Sequence, residues 1–294
     1  MNIVINWKNL QKRIINWQEV QKVIRNGVQI RPESTPTPWD WLCFTATTNN
    51  ANGYMWLYKE DNPTSVSLEI STNWTTRSDY TINNLQNMVH IPLTNIWDKV
   101  YFRNKSSVVT GFSDGYNLYK FSFSVPVNAS WDIGYLLCNS STTTITSNGC
   151  FSELFSGQSN LLTAPRLPAT TISENCYDRM FMWCTSLTTP PELPAVTWGN
   201  SCYIEMFNWC TSLSSIPFIH LNKLYMSSCA YMFDGCSLIK VSETQTWEYV
   251  NPYYIIITES GSQLGAYDIF VWTGGTFTWD LFVFNTYYTS NTVI

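Results

Sequence analysis

The stretch CYDRMFMWCTSLTTPPELPAVTWGNS, residues 176–201, decides how the chain is read, because its neighbours repeat it. CFSELFSGQSNLLTAPRLPATTISEN precedes it at 150–175, and CYIEMFNWCTSLSSIPFIHLNKLYMSS follows at 202–228. A shortened copy, CAYMFDGCSLIK, starts at Cys229. The leading cysteines Cys150, Cys176, Cys202 and Cys229 lie 26, 26 and 27 residues apart. Phe155, Phe181, Phe207 and Phe233 occupy one recurring position, and Leu161, Leu187, Leu213 and Leu238 are aligned at another. A period of this length marks units that bury their apolar faces only against neighbouring copies.

A second cysteine recurs at Cys184, Cys210 and Cys236. Its distance from the first is too long for the C-x2-C knuckle of a zinc site. A buried ladder of free thiols, acting as small hydrophobes, is the leading reading. Disulfides between or within coils are the alternative. No metal and no cofactor are expected.

One column of the repeat is chemically discordant. Two residues after the recurrent Phe stand Gly157, Trp183, Trp209 and Gly235. The N-terminal stretch INWKNLQKRIINWQEVQKVIRNGVQIRP, residues 5–32, shows the same exchange, with Asn6-Trp7, Asn16-Trp17 and Asn26-Gly27 in steps of ten. Asn-Gly is the strongest short hairpin signal, because both turn residues need positive φ. Glycine reaches that region without steric cost, whereas a bulky residue there is an outlier. The chain holds 14 Trp and only 13 Gly, where average usage of roughly 7% would give about 20 glycines. Several tryptophans therefore read as glycines, as would follow from a UGA codon decoded as Gly in the living cell. The suspected sites are Trp7, Trp17, Trp74, Trp97, Trp131, Trp183 and Trp209. Trp198, Trp272 and Trp279 form a second group, and Trp39, Trp41, Trp56 and Trp247 are left open. The competing reading keeps them all as genuine aromatics that serve as a carbohydrate-binding set.

Cys176 to Ala195 and Cys202 to Pro217 resemble the BspA-like leucine-rich-repeat surface proteins, in the subgroup whose unit reads roughly CYxxMFxGCTSLTTAPELPATT. MFMWCTSLTTPPELPA departs from that unit at Trp183, and MFNWCTSL departs at Trp209, both where the family has Gly. The resemblance covers about residues 120–240 strongly. Residues 41–125 resemble, more weakly, the β-rich domain found ahead of such repeats. The resemblance implies a leucine-rich-repeat architecture and a surface-binding role, and it is weak for biochemical activity.

The layout expected from these signals is mostly β with an α/β solenoid. Residues 1–32 read as an N-terminal β-meander and 33–40 as a Pro/Thr-rich linker. Residues 41–125 hold alternating strand-like runs separated by turn clusters, which suggests an antiparallel β-sandwich-like domain. Residues 126–240 form the leucine-rich-repeat solenoid, with a helical turn expected in each CYxxMF stretch. Residues 241–294 are expected to cap the last coil.

A net charge of −5 and 13% charged residues offer no basic footprint for nucleic acid. No apolar run approaches a membrane-spanning length, and no ordinary signal peptide is seen. Motifs for nucleophilic, phosphate-binding or metallohydrolase chemistry are missing, so no catalytic residues are expected and the chain is read as non-enzymatic. The expected function is binding or adhesion, with the repeat surface meeting a protein or glycan at a bacterial cell surface. The N-terminal unit also resembles the short leaders, xxVxKVYxNGxxVxP, of phage tail and prophage proteins. The alternative is therefore a tail-fibre or receptor-binding component of a virion, which could also self-assemble as a homo-oligomer. A second alternative is carbohydrate binding through exposed aromatics. Side chains that vary while the frame repeats are the expected partner contacts: Arg166, Glu192 and Phe218 in one column, with Leu167, Leu193 and Ile219 in the next.

Overall fold

The computed structural model describes residues 23–25, 28–30, 41–59, 65–73, 75–82, 88–106, 112–113, 118–217, 219, 225–242, 251–254, 268–275 and 287–290. Trp7, Trp17, Trp39, Trp74, Trp247, Trp279 and Phe218 lie outside the described residues. The chain divides into two compact units, Met1–Thr37 and Pro38–Ile294.

In the first unit, β1 (Val23–Arg25) pairs antiparallel with β2 (Val28–Ile30). Arg25 faces Val28, so Asn26-Gly27 is all that joins the two strands. This is the two-residue connection that Asn-Gly favours.

The second unit begins with two facing sheets. β3 (Leu42–Ala46), β5 (Val66–Ser71), β6 (Ser78–Ile82), β8 (Lys99–Asn104), β10 (Val127–Ser130) and β12 (Leu161–Thr163) form a six-stranded sheet in the order β12-β10-β3-β8-β5-β6. β4 (Tyr54–Lys59), β7 (Val89–Pro92) and β9 (Tyr119–Phe123) form a three-stranded sheet with β4 at its centre. Alternation of buried and less buried residues, regular in β4, β7 and β9, drives this packing. Met55 and Leu57 of β4 and Leu68 and Ile70 of β5 are buried, and their neighbours Trp56 and Glu69 are less so. Phe44 and Phe102 of the larger sheet meet Phe121 of the smaller one, at ring-centroid distances of 4.8 and 5.3 Å.

The repeats continue from this core. β10 pairs antiparallel with β3 and parallel with β12, so one strand belongs to the sandwich and also carries the first repeat. β11 (Thr144–Ile145) and β13 (Thr171–Ile172) pair in parallel, and isolated parallel bridges join Thr171 to Thr197 and Leu193 to Ile219. A column of phenylalanines runs through the stack: Phe121, Phe155, Phe181, Phe207, Phe233 and Phe270. Neighbouring rings lie nearly parallel at 5.5–5.9 Å. Each such aromatic pair contributes about 0.5–1.5 kcal/mol beyond the area it buries.

The expected α/β solenoid is overturned, because the described residues contain no α-helix and the fold is essentially all β. The one short helical element among them is a 3-10 turn at Ile133–Leu136. The reason lies in where the CYxxMF stretch sends its amide hydrogens. The N–H groups of Tyr177, Arg179, Phe181 and Trp183 donate to the carbonyls of Cys202, Ile204, Met206 and Asn208 in the next repeat, at 2.8–3.0 Å. The alternate N–H groups of Asp178, Met180, Met182 and Cys184 donate three residues back, at 3.0–3.2 Å. Every fourth residue has positive φ: Asn175 at 54°, Arg179 at 51° and Trp183 at 61°. A helix needs continuous negative φ and bonds four residues back. This ribbon of linked turns has neither.

The C-terminal region contains a further coil. Phe233 and Gly235 donate N–H bonds to Ile269 and Val271, both at 3.0 Å. This places Phe270 under Phe233 and Trp272 under Gly235. β14 (Lys240–Ser242), β15 (Asn251–Tyr254), β16 (Gly274–Gly275) and β17 (Tyr287–Ser290) form a four-stranded mixed sheet in the order β15-β17-β14-β16.

Candidate interaction surface

The repeat frame consumes the residues expected to form its core. Phe155, Phe181, Phe207, Phe233, Leu161, Leu187 and Leu213 are buried, as are Cys176, Cys184, Cys202, Cys210, Cys229 and Cys236. Two positions shift. Leu238 is 52% exposed, and Ile239, three residues after Cys236, is buried in the column of Leu187 and Leu213. Ser228, not Cys229, accepts the N–H of Tyr203, as Cys202 accepts that of Tyr177. The fourth coil thus keeps the 26-residue register, and the 27-residue cysteine spacing reflects a cysteine moved one place along.

All nine cysteines are free and buried. Cys184, Cys210 and Cys236 donate their thiol hydrogens to the carbonyls of Phe155, Phe181 and Phe207, each at 3.0 Å. Cysteine is small enough for the core and still satisfies a carbonyl of the preceding coil. Burial pushes the Cys150 and Cys202 thiols up to about 12, and it raises Cys176, Cys210 and Cys236 well above the ordinary value. The thiolate is the reactive species, so the folded protein is expected to resist alkylation at pH 8. Counting modified cysteines by intact mass, with and without denaturant, checks this. Rapid labelling of the native protein at Cys184 or Cys210 would contradict the burial.

A polar seam runs along the ribbon. Lys120 Nζ lies 2.8 Å from Glu153, and Arg179 Nε donates to Glu205 at 3.1 Å. Asn208 donates to Asp234 at 3.0 Å. Asp178 is 3.4 Å from Arg179, but that guanidinium is committed mainly to Glu205. Burial consequently raises Asp178 to about 6, and its Oδ1 has no partner. The folded state therefore holds this proton more tightly than the unfolded chain. The associated stability is present below about pH 4, the unfolded value, and is lost as pH rises through about 6. Asp178→Asn is expected to remove that loss, gaining about 3 kcal/mol at pH 7.5 and little at pH 4. Urea unfolding of both proteins at the two pH values tests the difference.

The outward column is placed as follows. Arg166 and Glu192 are exposed, and Leu167, Leu193 and Ile219 are buried beside them. Arg166 lies 3.5 Å from the buried Asp132, whose carboxylate also accepts from the Gly134 N–H at 2.7 Å and from Ser141.

Two groups of adjoining aromatic rings reach the surface, one exposed and one half-buried. Trp183 and Trp209 stack at 5.1 Å, with 3° between their planes, on the column that also holds Gly157, Gly235 and Trp272. On the outer face of β4, Tyr54 and Trp56 lie 4.3 Å apart, with His90 of β7 at 5.2 Å from Tyr54. Trp41 is not a surface residue. It is 2% exposed, and the Arg103 guanidinium sits 4.2 Å over its ring.

Among the described residues, no group of three His, Cys, Asp or Glu side chains is placed to hold a metal ion. No helix there is long and apolar enough to cross a membrane. No family model, curated protein or solved structure matches the chain.

Proposed function

We propose that the protein is a non-enzymatic binding protein of the BspA-like type, whose stacked repeats present side chains to a protein or glycan at a bacterial cell surface. One observation carries this reading. The repeated frame residues are spent on packing and inter-coil hydrogen bonds, while Arg166 and Glu192 project from equivalent positions of successive coils. A stack of this kind holds such positions at a regular spacing, which suits an extended contact with a macromolecule.

The test is saturable binding of the purified, fluorescently labelled protein to intact bacterial cells. The variant Glu192→Ala is expected to bind at least tenfold more weakly, with an unchanged unfolding midpoint, since Glu192 is exposed, whereas Arg166 also pairs with the buried Asp132. Equal binding by the variant would remove this column from the contact, and absence of saturable binding would overturn the adhesion reading.

A second reading is glycan binding, favoured by the ring cluster of Tyr54, Trp56 and His90 on the outer face of the three-stranded sheet. Trp56→Ala should abolish glycan-array binding if this face is the site. Trp41 is excluded from that role by its burial.

A further inference from the structure

We propose that Trp97, Trp131, Trp183, Trp209 and Trp272 stand at glycine positions of the native protein, and that Trp41, Trp56 and Trp198 are genuine tryptophans. The eight are the tryptophans among the described residues.

The backbone separates the two groups. Trp97, Trp131, Trp183, Trp209 and Trp272 have φ of 76, 70, 61, 57 and 56°, and the other three are not in the positive region. Trp97 and Trp131 lie within the 62–77° spanned by Gly149, Gly157 and Gly235. Trp97 is the third residue of a turn closed by the Asp98 N–H on the Asn95 carbonyl at 3.0 Å. Positive φ at that residue alone is the type II turn, which calls for Gly or Asn there.

The repeat column argues independently. Gly157, Trp183, Trp209, Gly235 and Trp272 are equivalent, and the first four donate the same N–H bond to the following coil. Nothing lies within 4 Å of the place a side chain would start on Gly157. At Gly235 that place is 2.8 Å from the Trp209 indole, which has folded down over the neighbouring glycine. Trp131 is half-buried against the cluster of Trp41, Cys43, Tyr101 and Tyr135, whereas the other four indoles are exposed. Trp183, Trp272 and Trp97 are 47, 61 and 69% exposed.

Other side chains do adopt positive φ in this ribbon, Glu153, Arg179, Glu205 and Tyr231 among them, but all lie between 51 and 55°. They form two other columns: Glu153, Arg179, Glu205 and Tyr231, which holds no glycine, and Asn175, Ser201 and Ser227, where Gly149 alternates with small polar residues and not with Trp. Alternation of Gly with Trp, and with nothing of intermediate size, is confined to the column of Gly157. A single codon explains it: UGA, which one genetic code reads as Trp and another as Gly.

The remaining three tryptophans do what glycine cannot. Trp41 fills a buried site beneath Arg103. Trp56 lies within β4, between His90 and Ser122. Trp198 is buried edge-on against Tyr203 at 5.8 Å, in the column of the buried Ile172.

The test reads the codon at all eight positions in the gene and the masses of peptides from the protein isolated from its own host. UGA is expected at the five, UGG at the three, and glycine in the native peptides at the five. UGG at Trp183, Trp209 or Trp272, or tryptophan in those native peptides, overturns the proposal. UGA at Trp41, Trp56 or Trp198 overturns the assignment of those three as genuine tryptophans. A recombinant chain with glycine at all five positions provides a second readout. It is expected to fold and to unfold no more than a few degrees below the all-tryptophan chain, and a larger loss or failure of the five-glycine chain to fold overturns the proposal.

Discussion

Phe207→Ala is expected to lower the unfolding free energy by about 3–5 kcal/mol, the cost of deleting a buried phenyl ring and leaving its cavity. Phe207 is fully buried and stacked between Phe181 and Phe233, at 5.6 Å from each. The cavity cannot close by drawing the coils together. Main-chain hydrogen bonds on both sides, from Phe181 to Met206 and from Phe207 to Met232, set the distance between coils. Such a loss is a large fraction of the roughly 5–15 kcal/mol that holds a typical domain folded. Urea unfolding followed by far-ultraviolet circular dichroism measures it. Because each coil contacts only its neighbours, the variant is also expected to expose Cys210 and Cys236 to thiol reagents before Cys43. A loss below about 1 kcal/mol would be that of a surface site and would mean that the ring column is not the core of the stack.

The second large effect is a contrast between equal substitutions at unequal sites. Trp41→Gly and Trp198→Gly should each cost about 3–5 kcal/mol, since both rings are buried and irreplaceable in their pockets. Changing Trp97, Trp131, Trp183, Trp209 and Trp272 to Gly together should cost no more than about 2 kcal/mol and can raise stability. Each release from positive φ returns about 1–2 kcal/mol. Added glycine freedom in the unfolded chain takes back about 0.5–1 kcal/mol per site, and the lost stack of Trp183 on Trp209 takes about 0.5–1.5 kcal/mol more. Five such replacements at ordinary sites would unfold a marginally stable protein. Thermal and urea unfolding of the three variants against the parent distinguishes the cases.

The exposed indoles of the repeat column are therefore a poor basis for a binding role. The binding role proposed above rests instead on side chains with unstrained backbones: Arg166 and Glu192 on the repeats, and Tyr54 and Trp56 on the sheet.

Some elements were legible because they depend on residues close in sequence. The 26-residue period, the Phe column and the buried cysteines follow from recurrence alone. The strands of 41–125 follow from alternation, as in β4 with Met55 and Leu57 inward. The Gly/Trp exchange was visible as a column before any φ was known. The fifth coil was not legible, because 37 residues separate Phe233 from Phe270 and no period of 26 leads to it. Its only signal is the short match of IFVW, at 269–272, to MFDG, at 232–235. The register at Ser228 was hidden because Cys229, one place along, supplied a more conspicuous match.

The sequence by itself determined the repeat length, the buried side chains of the frame apart from Leu238, and the column in which Gly and Trp alternate. Only the tertiary structure decided that the CYxxMF stretch is not helical. Apolar residues at Cys176, Tyr177, Met180 and Phe181 suit one face of a helix as well as one face of a ribbon that turns every four residues. Side-chain burial is therefore the same in both. What separates them is the partner of each amide, and for Tyr177, Arg179 and Phe181 that partner is a carbonyl 25 residues away. No local pattern encodes that choice, because the competing bond exists only when the next coil has folded beside it.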